Sequence, residues 1–301
     1  MDCRRFSYPH RLDMVLCDGK HFRAGQKRLR RVALFFLDDA TRFGLEVVVG
    51  TSENAALFQR GLYRCVLTHG RMSGLYVDNG SGFIAMDSID VARKLKIHLI
   101  HGTAGYPEGH GLIERFNRTA AEQVLRTLAG HPEVDPDCAA LELRLRHFLR
   151  ECYNRTPHEA LNGATPETRF LKDPRPLRFY ESTEQLRQAF VLHLERRVSN
   201  DHIVSLGSVA YEVPRGYAGT RVVLFHHLLD ETLSILHEGR LVALAPVDTH
   251  ANARTPRARP RREEPTAPVP NKTAAQLAFE RDMSPVVDTD GGFSQPPEDK
   301  S

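Results

Sequence analysis

The sequence lacks long apolar runs and paired cysteines. No apolar run approaches the roughly 20 residues of a membrane-spanning helix, and the opening segment, MDCRRFSYPH, has no apolar core typical of a secretory signal. Because there is no CxxC pair, no zinc knuckle or redox pair can be read from the cysteines. The cysteines stand singly, as Cys3, Cys17, Cys65, Cys138 and Cys152. These absences predict a cytoplasmic protein with reduced thiols and no membrane partner.

Length and composition indicate an ordinary globular chain. With 301 residues, 41% of them hydrophobic and 26% charged, the chain has room for about two folded domains. The net charge of +3 says nothing about partners, but residues 1–31 hold nine Lys or Arg against three Asp. Such a basic face suits a polyanion, and an ordinary solvated edge explains it equally well.

The first 175 residues show strand patterns followed by alternating helices and strands. Short runs rich in β-branched and aromatic residues predict strands, and apolar residues at helical spacing predict helices. The strands are expected at 14–17, 32–37, 45–49, 74–78 and 97–100, and the helices at 52–69, 87–95, 112–129 and 139–152. Ser52 is the expected N-cap of the first helix, and Gly102 to Gly111 is expected to form a flexible loop. The order favours an α/β fold with a mixed sheet.

The composition changes after Pro174-Arg-Pro176. A helix at 183–195 is expected to lead into five short strands at 202–206, 209–213, 221–225, 232–236 and 241–244, which predict a small β-barrel. From Thr249 the chain is rich in Pro, Arg and Thr, with arginines at 254–262 and a helix-like segment at 272–281, and a disordered tail is expected. The predicted domains are residues 1–175, 176–248 and 249–301.

Three acidic residues stand out as candidate metal ligands. Asp18 follows the first apolar run, Asp78 follows the fourth strand in YVDNG, and Glu114 is expected to open a helix in LIERFNR. Carboxylates that converge from separate elements can bind Mg²⁺ or Mn²⁺. Two such ions would activate a nucleophile and stabilise the leaving oxygen in phosphodiester displacement.

Other interpretations of these acids stay open. Asp13, Asp38 and Asp39 compete with Asp18, although Asp38 and Asp39 are better suited to capping a turn at a strand end. The Asp-Asn-Gly sequence after the fourth strand is also an ordinary turn signal. Glu114 is also a favourable acid for the first turn of a helix, and Glu108 is assigned to the loop.

Four segments carry a family resemblance: FLDDATRF (36–43), LYVDNGSGF (75–83), YPEGHGLIERFNRT (106–119) and YNRTPHEALNGATPETRF (153–170). Together with the 35 residues between Asp78 and Glu114, their order resembles the DDE transposase and retroviral integrase superfamily. The resemblance implies a ribonuclease H-like fold in which Asp18, Asp78 and Glu114 bind two Mg²⁺ ions. It also implies cleavage of DNA at transposon ends and joining of the 3′-hydroxyls to target DNA. Residues 190–248 are similar to the barrel of Mu-type transposases.

The same resemblance suggests partners and further contacts. Asn79, His110, Arg115 and Arg118 are the candidate DNA-binding residues, although Arg118 could simply pair with Glu114, four residues before it on the same helix face. Tyr153, Asn154 and His158 are expected to pack the end of the domain. A homo-multimer on DNA, a nucleoid location and, by analogy, a target-selecting ATPase partner are expected.

The chain also leaves two other functions open. Only 17 residues precede Asp18, too few for a helix-turn-helix, and no His/Cys zinc module is present. The alternative function is therefore a non-catalytic DNA-binding or assembly remnant of a transposase without its end-recognition domain. A stand-alone ribonuclease H-like nuclease is the third hypothesis.

Overall fold

The computed structural model describes residues 8–78, 83, 85–102, 107–248 and 275–276, with the backbone alone at 107–110. Residues up to Val247 form one compact unit, and those from Asp248 onward belong to a second. Apart from the two helical residues 275–276, the predicted tail, including its arginine run at 254–262, lies outside the described residues. None of the described helices is long and apolar enough to cross a bilayer.

A five-stranded mixed sheet forms the centre of the fold. Its strands lie side by side in the order β3-β2-β1-β4-β5; β1 to β3 pair antiparallel, and β4 and β5 run parallel to β1. The strands are β1 (Met14–Ala24), β2 (Leu29–Asp38), β3 (Gly44–Gly50), β4 (Gly74–Val77) and β5 (His98–His101). This arrangement confirms the predicted mixed sheet with flanking helices, the ribonuclease H-like fold that the resemblance implies.

The first strand is much longer than the sequence indicated. Its apolar run ends at Cys17, yet β1 continues to Ala24, because a ladder of ten residue pairs joins it to β2. The hairpin turn lies at Gly25, which has a φ of 70°. The prediction that Asp18 ends the first strand is therefore wrong, and Asp18 lies in the middle of β1.

Helices cover both faces of the sheet. They are α1 (Ala55–His69), α2 (Met86–Leu95), α3 (Pro107–Gln123), α4 (Cys138–His147) and α5 (Pro166–Leu171), with short irregular turns of helix at Leu125–Leu128, Phe148–Cys152, Tyr153–Arg155 and Glu159–Leu161. One apolar cluster lies between the sheet and α1 and α2, and the other lies between the sheet and α3 and α4. Alternate residues of the central strands enter the two clusters, as the period of a strand requires.

Two helix starts differ from the predictions. The N-cap of α1 is Asn54 rather than Ser52, because the Asn54 side chain accepts the N–H of Leu57 at 2.9 Å. Helix α3 begins at Pro107, and proline suits a first helical position because its ring fixes φ. Consequently Glu108 belongs to the helix rather than to a loop, and Glu114 lies well inside α3 rather than opening it.

The segment that follows α4 closes the end of the domain. Asn154 is 2% exposed; its side chain accepts the N–H of Gly44 at 2.8 Å and donates to the Gly44 carbonyl at 3.0 Å. Tyr153 is also buried, with its ring edge-on to Phe116. The packing role predicted for Tyr153 and Asn154 is confirmed, whereas His158 is half-buried and caps a short turn.

A second group of strands follows α6 (Thr183–Gln188). The predicted helix at 183–195 is wrong in its second half, because Val191 and Leu192 are buried in a strand that pairs over seven residues with the strand Arg221–His227. The strands are β6 (Val191–Arg197), β7 (Ile203–Leu206), β8 (Val209–Glu212), β9 (Arg221–His227), β10 (Thr232–His237) and β11 (Arg240–Leu244). They form a four-stranded sheet and a two-stranded sheet around a shared apolar cluster.

Candidate active site

The register of β1 against β4 brings two of the predicted acids together. These strands are parallel, with Cys17 opposite Val77, so the next residues, Asp18 and Asp78, lie side by side where β4 ends. Side chains of a strand alternate between faces, and Leu16 and Tyr76 belong to the cluster on the α3 face. Asp18 and Asp78, two residues further on, therefore share that face.

A hydrogen bond joins helix α3 to Asp18. Asn117, only 4% exposed, donates from Nδ2 to Oδ2 of Asp18 at 2.6 Å. The other carboxylate oxygen of Asp18 accepts the backbone N–H of Gly19 at 2.8 Å. Because Glu114 precedes Asn117 by about one helical turn, this bond fixes the part of α3 that carries the third acid. The Asn117 Oδ1 is buried without a hydrogen-bond partner among the described residues.

A fourth carboxylate, that of Glu53, also borders the site. The Glu53 carboxylate lies against the backbone of Gly19, so close that a Cβ at position 19 would overlap its Oε2. Burial raises the pKa of Glu53, and the negative charges of Asp78 and Asp18 raise it further, against the opposing effect of His21. The same carboxylates, after burial itself, contribute to the raised pKa of the Cys17 thiol.

The remaining predicted site residues are exposed or lie outside the described residues. Glu114, Arg115 and Arg118 are exposed on α3, and within the described part of the chain neither arginine forms an ion pair with Glu114. Asn79 and the side chain of His110 lie outside the described residues, as does much of the predicted loop, at 103–106.

The acids that competed with Asp18 lie elsewhere. Asp13 is at the other end of β1, where it pairs with Arg175. Asp38 is buried and accepts the hydroxyl of Thr41 at 2.5 Å and the N–H of Leu12 at 2.7 Å. Asp39 pairs with Arg42 at 3.3 Å. The predicted turn-capping role is confirmed for Asp38, which also accepts the N–H of Thr41 at 3.0 Å, whereas Asp39 accepts the N–H of Tyr8.

The donor set at Asp18 and Asp78 fits a hard divalent cation. Mg²⁺ takes oxygen ligands and is commonly held by one or two carboxylates, with water and phosphate oxygens in the other positions. Burial is the main cause of the raised pKa of Glu53, and the negative charges of Asp78 and Asp18, which such a cation would neutralise, add to it. Across the described residues, no three His, Cys, Asp or Glu side chains converge into a complete metal cage, so the structure gathers the aspartate pair but does not bring Glu114 onto it.

Sequence comparison finds a transposase and a retroviral polyprotein that are similar to part of the chain. It is 37% identical over 101 residues to the transposase of transposon Tn552 from Staphylococcus aureus; the match covers 32% of this chain and 21% of that transposase. The chain is thus similar, over about a third of its length, to a member of the DDE transposase and integrase superfamily. It is also 31% identical over 97 residues to the Pol polyprotein of equine infectious anemia virus, covering 32% of this chain and 8% of the polyprotein. The segments that match this superfamily thus span about a fifth or less of these relatives.

Comparison with solved structures finds integrases that are similar to this chain at low identity and low TM-score. A chain of the simian T-cell lymphotropic virus intasome, in complex with a PP2A regulatory subunit, gives a TM-score of 0.46 at 14% identity, covering 81% of this chain and 79% of that chain. The HTLV-2 integrase catalytic core, in complex with magnesium, gives 0.41 at 16% identity, covering 56% and 99%. No family model matches the sequence.

Two residues of the site were missed from sequence. Asn117 lies three residues after Glu114, a helical spacing that could have suggested a shared face. Glu53 lies just beyond the end of β3, where acids that join an active site can also be sought. The local sequence around Asn117 and Glu53 does not indicate that either residue lies near Asp18, because both are far from Asp18 along the chain.

Proposed function

We propose that this chain cleaves DNA strands and transfers their 3′-hydroxyl ends to target DNA in a metal-dependent reaction. The observation that carries the proposal is the placement of Asp18 beside Asp78, with Asn117 fastening the helix of Glu114 to Asp18. The match to a transposase supports the same activity.

Each residue has a defined part in this proposal. Asp18 and Asp78 would hold the metal, and Glu114 would complete the site from α3 for the second of two Mg²⁺ or Mn²⁺ ions. When bound, the ions would activate the attacking oxygen and stabilise the leaving oxygen. Asn117 would keep the Asp18 carboxylate oriented, and the exposed Arg115 and Arg118 would contact DNA phosphates, which position a duplex without reading its sequence.

The proposed substrates are transposon ends and target DNA. We also propose that the chain acts as a homo-multimer, because joining two ends to one target requires two active sites. The target-selecting ATPase, the nucleoid location and the Mu-type character of the strands after residue 190 stay predictions.

The test is a cleavage and joining assay on DNA from the flanks of the gene, with a supercoiled plasmid as target and Mg²⁺ or Mn²⁺. Cleavage and joined products should appear with the unmodified protein and fall by at least a hundredfold in Asp78→Asn and Glu114→Gln. Glu122→Gln is the matched control, because Glu122 is an exposed acid on the same helix. Equal activity in Asp78→Asn would remove the proposed chemistry.

The same assay separates the alternatives. Normal DNA binding without any cleavage would favour the non-catalytic remnant, for which the open arrangement of Glu114 is the supporting observation. Cleavage of an RNA–DNA hybrid without joining would favour a stand-alone nuclease.

Metal binding can be measured without activity. Mg²⁺ at one hundred times its Kd should stabilise the fold by about 2.7 kcal/mol. The stabilisation should disappear in Asp78→Asn and persist in Glu122→Gln, as followed by thermal unfolding. An equal thermal shift in Asp78→Asn would show that the ion binds elsewhere.

A further inference from the structure

A basic cleft lies at the end of the sheet opposite the acids. It has a volume of about 250 Å³ and lies beside Leu12 and Ser73, which come just before β1 and β4, and beside the C-terminal end of α2. Asp18 and Asp78 lie at the other end of β4. Since β4 has four residues, the two sites are separated along the strand by roughly 13–16 Å.

The lining of this basic cleft is strongly cationic. Five of its side chains are basic and none is acidic: Arg11, Arg71, Lys96, Arg175 and Arg178. Repulsion between like charges opposes folding, and a cluster of cations attracts anions to the surface around it.

Three of these cations have partners inside the protein. Arg11 donates to the carbonyl oxygens of Phe170 at 2.7 Å and Arg175 at 2.6 Å. Arg175 also pairs with Asp13. The guanidinium of Arg71 lies over the ring of Tyr180, 4.4 Å from its centroid. These contacts within the protein account for the positions of the three arginines.

Lys96 and Arg178 differ from these three residues, because contacts among the described residues do not account for their side chains. Both are exposed, and within the described part of the chain neither side chain makes an ion pair or a hydrogen bond. Their backbones are nevertheless fixed. The N–H of Lys96 caps α2, and the carbonyl of Arg178 accepts the N–H of Arg71 at 2.7 Å. The fold therefore presents two cationic side chains from rigid positions into an already positive cleft.

We propose that the basic cleft binds the phosphodiester backbone of DNA, without reading sequence, through Lys96 and Arg178. The inference rests on the proposed function, because a protein that joins two DNAs must hold more than one duplex segment. Its position at the opposite end of β4 means that it would contact phosphates other than those at Asp18 and Asp78. Arginine forks match phosphate oxygens, and sequence-independent binding needs only such contacts.

The test is the salt dependence of DNA binding by the full chain. Fluorescence anisotropy with a 40-base-pair duplex gives the Kd from 50 to 200 mM salt, and log K falls by about 0.9 per phosphate contact for each tenfold rise in salt. The double variant Lys96→Gln with Arg178→Gln should lower that slope by about 1.8 and weaken binding at 50 mM salt at least tenfold. The control, Arg126→Gln with Arg144→Gln, removes the same charge from exposed positions outside the cleft.

The outcomes distinguish this inference from the proposed function. An unchanged slope in the cleft variant, or an equal change in the control, overturns the inference even if cleavage and joining occur. A reduced slope confined to the cleft variant supports it even if no cleavage is found. Polyglutamate serves as a second probe: if its binding, and not that of DNA, responds to the cleft variant, the occupant is an acidic protein segment and the inference is wrong.

Discussion

The hydrogen bond from Asn117 to Asp18 should be measurable as a coupling free energy. Asn117→Ala removes the donor while α3 keeps its apolar contacts with the sheet through Ile113 and Phe116. Alanine is also a better helix former than asparagine, which offsets a few tenths of a kcal/mol of the loss.

The expected magnitude follows from the geometry. The donor is 4% exposed, the N···O distance is 2.6 Å, and the acceptor is a carboxylate. Hydrogen bonds to charged groups contribute about 1.5–3 kcal/mol, and burial of Asn117 places this bond toward the upper part of that range. We expect Asn117→Ala to lower the free energy of unfolding by about 2 kcal/mol.

A double-mutant cycle isolates the interaction. Urea unfolding of the unmodified chain, Asn117→Ala, Asp18→Ala and the double variant should give a coupling energy of about 1.5–3 kcal/mol. Glu122→Gln, at an exposed position of the same helix, should change stability by less than about 0.5 kcal/mol. A coupling energy within 0.5 kcal/mol of zero would refute the claim that this bond ties α3 to β1.

Three further predictions concern the fold around the site. Asn154→Ala should cost about 3 kcal/mol in urea unfolding, because both buried backbone groups of Gly44 lose their partner; a cost under 1 kcal/mol would show that they find others. Gly61→Ala should lower the free energy of unfolding by about 1–3 kcal/mol, because its Cβ would lie 2.5 Å from a phenylalanine ring of β2. Gly111→Ala, in open space on α3, should raise it by about 0.5–1 kcal/mol, and equal effects of the two variants would contradict this reasoning. Burial raises the pKa of Asp38 to about 6, so the folded chain binds more protons than the unfolded chain between about pH 4 and 6. Its free energy of unfolding should therefore fall by an amount on the order of 2–3 kcal/mol as the pH rises through that interval. Asp38→Asn should remove this pH dependence in urea unfolding, and a pH dependence that persists would belong to another group.

Much of the fold was readable from the sequence because its signals are local. Short apolar runs rich in β-branched and aromatic residues predicted the strands of the central sheet, and helical spacing predicted α1 and α2 to within a few residues. The errors arose where tertiary contacts override local pattern. Polar residues after Cys17 continue β1 only because β2 pairs with them, and the segment after Gln188 is a strand only because β9 lies beside it.

The sequence by itself determined which residues could form a site, namely two aspartates and a glutamate in a recognisable order. Only the tertiary structure decided which of them meet. The parallel register of β1 and β4 places Asp18, rather than Asp13, beside Asp78, and Asn117 reaches Asp18 across 99 positions of the chain. Glu53 joins them from the end of β3, and five cations collect at the opposite end of the sheet. Such proximities depend on strand register and helix packing between distant segments, and no local stretch of sequence encodes either one.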